Sequence, residues 1–164
     1  MFKKICSFLS GLLLIILVAL AALLLVPRLF GYQNMAVLTG SMEPKYPVGS
    51  LIYVKEVDPV TLKIGDVITY RLDSDTVVTH RIVEIDSEKK EVITKGDANN
   101  VNDSKPISYS NIMGKASWCI PYLGYISIYI KTPVGIMIGC GIAAIIILLT
   151  FLPEILSKDE ENEN

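Results

Sequence analysis

"TVVTHRIVEID", Thr76 to Asp86, is the stretch on which the fold turns. Most of its side chains branch at Cβ, which crowds a helical turn and suits a pleated strand. With a period of two, Val78, His80, Ile82 and Glu84 share one face, and Thr79, Arg81, Val83 and Ile85 the other. Its neighbours read the same way: Ser50 to Val57, Asp66 to Arg71, Glu91 to Lys95, and a last strand near Ile112 to Ser117. Between them lie the turn signals "DPVTLKIGD", "LDSD" and "DSEKKE". The expectation is a mainly β domain built as a meander.

Outward from that domain the pattern gives way to apolar runs. The chain is 51% hydrophobic, with a mean hydropathy of +0.47, too apolar for an ordinary soluble domain. The excess lies at the two ends. Phe8 to Val26 carries no charge and is about 28 Å long as a helix, close to the roughly 30 Å of a bilayer's hydrocarbon core. Val134 to Leu152 is a second such run. The predicted order is a cytoplasmic N-terminus (1–7), a membrane helix (8–26), an extracytoplasmic β-rich domain (27–133), a second membrane helix (134–152) and an acidic, disordered cytoplasmic tail (153–164).

Lys3 and Lys4 favour a cytoplasmic N-terminus, and two spans return the C-terminus to the same side of the cell membrane. They also fit the basic start of a cleavable signal peptide, with Ala19-Leu20-Ala21 as its small-x-small site. The apolar run continues through Leu23 to Val26, however, which favours an uncleaved anchor. Tyr122, Tyr125 and Tyr129 fall at helical spacing before the second run and suit a membrane-surface belt or simply the start of that span.

Several function classes are disfavoured. Cys6 and Cys140 lie at or in the apolar runs, leaving Cys119 alone in the domain, so no disulfide framework is available. One histidine and no CxxC give no basis for a metal site, and no cofactor is expected. A net charge of −2 without a basic stripe gives no case for nucleic acid.

"AVLTGSMEPKYPVGS", Ala36 to Ser50, holds the most pointed question. Ser41, between a glycine and a proline, reads either as a turn residue bonding its own backbone or as a nucleophile. A hydroxyl needs a positioned base, itself oriented by a third group, to act at neutral pH. His80 is the one imidazole in the chain, and alone it fits a satisfied strand histidine equally well. Asp97 and Asp103 follow the next strand, where a hairpin return brings either beside His80; each alone fits a turn residue or cap.

Taken together, the segments resemble a known family. "TGSMEP" (Thr39 to Pro44), "KIGDVITY" (Lys63 to Tyr70), "THRI" (Thr79 to Ile82) and "ITKGDANNVND" (Ile93 to Asp103) are similar, in that order, to the boxes of type I signal peptidases. The resemblance runs on through "GKASWCIPYLGYI", ending at Ile126. A histidine where the common bacterial enzymes carry a lysine makes the chain similar to the endoplasmic-reticulum type, also found in archaea and some Gram-positive bacteria.

The resemblance implies a membrane-bound serine endopeptidase that removes signal peptides from exported precursors, cleaving after small residues at the outer membrane surface. It implies Ser41, His80 and Asp103 as the catalytic set, with the Ser41 N–H and the Thr39 hydroxyl as oxyanion donors. Asp97 and Arg81 are implied in support; the position of Asp97, after a glycine directly following the strand, is itself suited to accepting backbone N–H groups that hold the loop. Its partners are then secretory precursors, the lipid bilayer and the secretion machinery. The competing reading is a membrane-anchored β-domain that binds or assembles envelope proteins without cutting them.

Overall fold

Among the described residues seven strands pair into one antiparallel sheet, in the order β1-β2-β7-β3-β4-β5-β6. They are β1 (Tyr32–Ala36), β2 (Leu51–Lys55), β3 (Val67–Arg71), β4 (Val77–Asp86), β5 (Glu91–Lys95), β6 (Ile107–Ser108) and β7 (Ile112–Ile120). The computed structural model describes residues 2–162. The chain divides into two compact units, a β-rich one over Pro27–Ile128 and a helical one formed by 1–26 with 129–164.

The turns form where the sequence places polar side chains able to replace ladder partners. Asp73 Oδ1 accepts from the N–H groups of Asp75 and Thr76, reversing the chain between β3 and β4. Asp86 Oδ1 does the same for Glu88 and Lys89 between β4 and β5. In the longer link from β2 to β3, Asp58 accepts from Val60 N–H and Asp66 from Lys63 N–H.

From β3 to β6 the sheet is the expected meander, but β2 does not neighbour β3. β7 lies between them, pairing Ile52 with Cys119 on one side and Ile68 with Lys115 on the other. Local alternation marks a segment as a strand but says nothing about its distant partner. An ion pair at 2.6 Å between Lys115 and Asp66 accompanies this insertion. The short edge strands β1 and β6 were not foreseen, because neither is long enough to show alternation.

The expected faces of β4 hold only as far as Ile82. The register with β5 shifts between Ile82 and Glu84, so Val83 is an extra residue and the alternation slips by one. Glu84 therefore turns out to solvent, and Ile85 joins Val78 and Ile82 in the apolar cluster. That cluster, centred on Ile68, Tyr70, Ile82 and Val92, packs one part of the sheet. A second, formed by Met42, Tyr46, Ile52, Val54, Val67 and Ala116, packs the other. Each large side chain buried in this way contributes about 1.5–3 kcal/mol.

Helix α1 spans Phe2–Leu29 and α3 spans Pro133–Asn162, while the short α2 (Leu123–Tyr129), which falls almost wholly in the β-rich unit, precedes α3 in the chain. Lys4–Leu29 and Pro133–Phe151 are long and apolar enough to cross a membrane, and almost none of their residues are covered by protein. A soluble protein does not leave so much aliphatic surface bare. α1 runs past the expected boundary at Val26 to take in Pro27 and Arg28. The α3 backbone remains helical to Asn162, where composition predicts a disordered tail; Glu, Leu and Lys there are good helix formers. The last two residues of that predicted tail lie outside the described residues.

Candidate active site

Ser41 occupies a single 3₁₀ turn, Gly40–Met42, between two extended residues, Thr39 and Glu43. The turn is anchored by its neighbour. Met42 is only 2% exposed and plugs the cluster around Ile52 and Val54, which leaves the Ser41 side chain half-buried on the other side. Extended backbone before the serine and a tight turn after it push its hydroxyl out of the ladder.

His80 sits mid-strand on β4 opposite Ile68 of β3, and its ring is largely buried. Asp103 lies in the loop after β5, where its N–H donates to the Thr94 carbonyl at 2.8 Å. The three side chains meet: His80 Nδ1 is 2.6 Å from Asp103 Oδ2, and His80 Nε2 is 3.2 Å from Ser41 Oγ. An ionised carboxylate only accepts, so Nδ1 carries the hydrogen and Nε2 presents its lone pair to the serine hydroxyl. Of the two aspartates after β5, it is Asp103 that contacts the imidazole.

Burial pushes the Asp103 carboxyl up, but bonds from Thr94, His80 and Tyr70 outweigh it and hold the group below its ordinary value. Thr94 Oγ1 donates to Asp103 Oδ2 at 2.6 Å, and the Tyr70 hydroxyl lies 3.3 Å from the same oxygen. Burial, with the charge of Asp103 adding to it, pushes the Tyr70 hydroxyl up to about 12, so it stays a donor. Neither residue was singled out from the sequence. The signal available was a threonine, Thr94, on the inward face of β5 two residues from Val92, where an aliphatic residue would be usual.

Asp97 does not contact His80. Its carboxylate is held in fork geometry by Arg81, with Nε at 2.7 Å and Nη2 at 2.5 Å, rather than by the backbone N–H groups expected. Arg81 is on the face of β4 opposite His80, and its Nη1 also donates to the Gly65 carbonyl at 2.7 Å. The bond from Asp97 holds the guanidinium firmly protonated. The pair thus fastens the loop after β5 to the back of the strand that carries the imidazole.

A cleft of about 630 Å³ opens in front of Ser41. Val37, Leu38 and Thr39 line it, as do Val77, Val78 and His80 of β4. Thr39 therefore shares the cleft with Ser41, its side chain exposed. Among the described residues no three His, Cys, Asp or Glu side chains gather as a metal site requires.

A serine, an imidazole and a carboxylate in sequence of contact beside a peptide-sized cleft is the arrangement used by serine hydrolases. No protein-family model matches the chain. Signal peptidase I W of Bacillus subtilis (strain 168) is 49% identical over 89 residues, 52% of this chain and 47% of that protein. The catalytic subunit SEC11 of the signal peptidase complex of Candida albicans (strain WO-1) is 32% identical over 114 residues, 63% of this chain and 68% of that protein. Its counterpart in Scheffersomyces stipitis is 32% identical over 126 residues, 70% and 75% of the two chains. The match thus spans about half of the Bacillus protein and more than two thirds of these two yeast subunits. The chain belongs to the signal peptidase family of serine endopeptidases, in the endoplasmic-reticulum type, and is a membrane protein.

Proposed function

We propose that this chain removes N-terminal signal peptides from exported precursors, with Ser41 as nucleophile, His80 as general base and acid, and Asp103 as the residue that orients the imidazole. The observation that carries the reading is the continuous contact from Ser41 Oγ through His80 to Asp103 Oδ2. Ser41 attacks the scissile carbonyl while His80 Nε2 takes its proton; His80 then returns that proton to the leaving amine, and Asp103 stabilises the imidazolium between the two steps. Water, activated by the same imidazole, releases the acyl group. The Ser41 N–H and the Thr39 hydroxyl serve the developing oxyanion, each worth roughly 10²-fold to 10³-fold in rate.

The substrate enters as an added strand. Val37 bonds inward, its N–H to the Ser50 carbonyl and its carbonyl to the Gly49 N–H, so the outer edge of the segment after β1 is open to an extended peptide. Alternate side chains of that peptide then enter the apolar cleft, which favours small residues at the first and third positions before the cut. Only about 14 residues separate Val26 from Ser41, a tether short enough to keep the nucleophile near the outer bilayer surface. In this reading the domain is extracytoplasmic, both termini are cytoplasmic, and the chain works beside the secretion machinery.

The test is co-expression with a precursor bearing a small-x-small site. Wild type should yield mature protein and Ser41→Ala none; a domain that only binds precursors would leave them full length in both.

A further inference from the structure

Asp103 is met by side chains from three adjacent strands. His80 of β4 and Thr94 of β5 each stand 2.6 Å from its Oδ2, and Tyr70 of β3 lies 3.3 Å from that oxygen and 3.1 Å from Thr94 Oγ1. Thr94 is wholly buried and Tyr70 is 2% exposed. Their surroundings are apolar: Thr94 pairs with Ile82, and Tyr70 with Val78. A valine and a phenylalanine would fill the same space with no polar group to satisfy, whereas a buried hydroxyl is costly unless bonded.

The hydrogens can be assigned. Thr94 has one O–H, given to Asp103, so toward Tyr70 it is the acceptor, and the single Tyr70 O–H is shared between Thr94 Oγ1 and Asp103 Oδ2. Both hydroxyls, like His80 Nδ1–H, thus bear on one oxygen. Thr94 also takes the Asp103 N–H on its own carbonyl at 2.8 Å, so a single strand residue fixes a loop aspartate at both backbone and carboxylate. Without that hold, only His80, the group to be oriented, and the longer contact from Tyr70 would bear on the side-chain torsions of Asp103.

We propose that Thr94, backed by Tyr70, is a positioning residue that aims the Asp103 carboxylate at His80, a role that rests on Ser41, His80 and Asp103 acting as set out above. It binds no substrate. Its effect belongs to the chemical step, where the imidazole must hold its orientation as it gains and loses a proton.

The test uses the full chain purified in detergent, with kcat and KM measured separately on a signal-peptide precursor. Thr94→Val, which keeps the shape and removes the hydroxyl, should lower kcat about tenfold or more with KM within about twofold. Thr94→Ser, which keeps the hydroxyl and removes the methyl, should restore kcat to within about threefold of wild type. A Thr94→Val enzyme with wild-type kcat, a loss confined to KM, or a Thr94→Ser enzyme as slow as Thr94→Val would each overturn the proposal. Should Thr94→Val fail to accumulate, Tyr70→Phe decides: a lower kcat at unchanged KM supports the role, and an unchanged kcat overturns it. Ser41→Ala is assayed alongside. Cleavage by that variant would remove the underlying assignment, whereas its inactivity with a full-rate Thr94→Val would remove the positioning role alone.

Discussion

A Cβ at Gly96 would stand 2.6 Å from the carbonyl oxygen of Ser41. Glycine at this position lets the loop after β5 lie directly against the turn that carries the serine, and the Ala98 N–H then donates to that same carbonyl at 2.9 Å. The clash would be with backbone, which cannot swing aside. Gly96→Ala should therefore part the loop from the serine turn, keep the β-sheet signature in circular dichroism, and lower precursor cleavage about 10-fold to 100-fold. Full activity in a well-folded Gly96→Ala protein would show that the contact does not set the position of Ser41.

In the proposed mechanism hydroxyl and imidazole act on one proton, so their losses should not add. Ser41→Ala and His80→Ala are expected to abolish processing to the same extent, and the double variant to be no worse than either. Quantitative precursor conversion in membranes measures this directly. Near-normal turnover by His80→Ala would move the base elsewhere, with Lys95 the first residue to examine.

The two aspartates of the loop should separate cleanly. Asp103→Asn leaves most of the fold's contacts in place but removes the charge that orients His80, and in a comparable triad this costs about 10⁴-fold. The protein should accumulate, resist protease and be nearly inactive. Asp97→Asn instead breaks the fork with Arg81 and should cost about 1–2 kcal/mol of stability, with activity in proportion to the folded protein recovered. Urea midpoints and cleavage rates for both variants decide the matter, and the opposite pattern would assign the orienting role to Asp97.

Acid should destabilise the β domain through two carboxyls. Burial pushes Asp66 up, but the bond from Lys115 and the Lys63 N–H bring it below its ordinary value near 3.8, and Asp103 is lowered likewise. A carboxyl lowered by folding adds stability that is fully present above its unfolded value, and that stability is lost as pH falls through the lower folded one. Denaturant midpoints of the detergent-purified protein should thus fall steeply below about pH 4. Asp66→Asn should be less stable at pH 7 and show a shallower acid loss; an acid slope equal to wild type would exclude Asp66 as a contributor.

Much of this arrangement was legible before any coordinates, for physical reasons that differ from element to element. The central strands β2 to β5 announce themselves through β-branched alternation, and the turns through Asp73 and Asp86. Ser41, His80 and Asp103 stood out because a hydroxyl, an imidazole and a carboxylate are chemically distinctive and fell in recognisable segments. Tyr70 and Thr94 did not, since a tyrosine and a threonine are what any strand contains, and only their common approach to one oxygen separates them from ordinary β residues. The fork between Arg81 and Asp97 was hidden for a similar reason: it joins residues 16 apart across a hairpin, and alternation fixes the face of Arg81 without naming its partner. The place of β7 was hidden because strand order is decided by pairings between residues far apart in the chain.

That order has a bearing on when the sheet beneath the site is complete. β7 is the last strand to be made, yet it is the one that joins β1 and β2, beside the Ser41 turn, to β3 through β6, which carry His80 and hold Asp103. A growing chain that ends before Ile112 lacks every ladder bond between these two groups of strands, and only packing and loop contacts, such as Ala98 N–H to the Ser41 carbonyl, join the Ser41 turn to the strand of His80. The closing pairings, such as Ile52 with Cys119, reach across more than sixty residues of chain, the kind of contact that forms slowly. The sheet that carries Ser41 and His80 on one continuous surface is therefore completed only by the final strand of the domain, which slots between two parts made long before it.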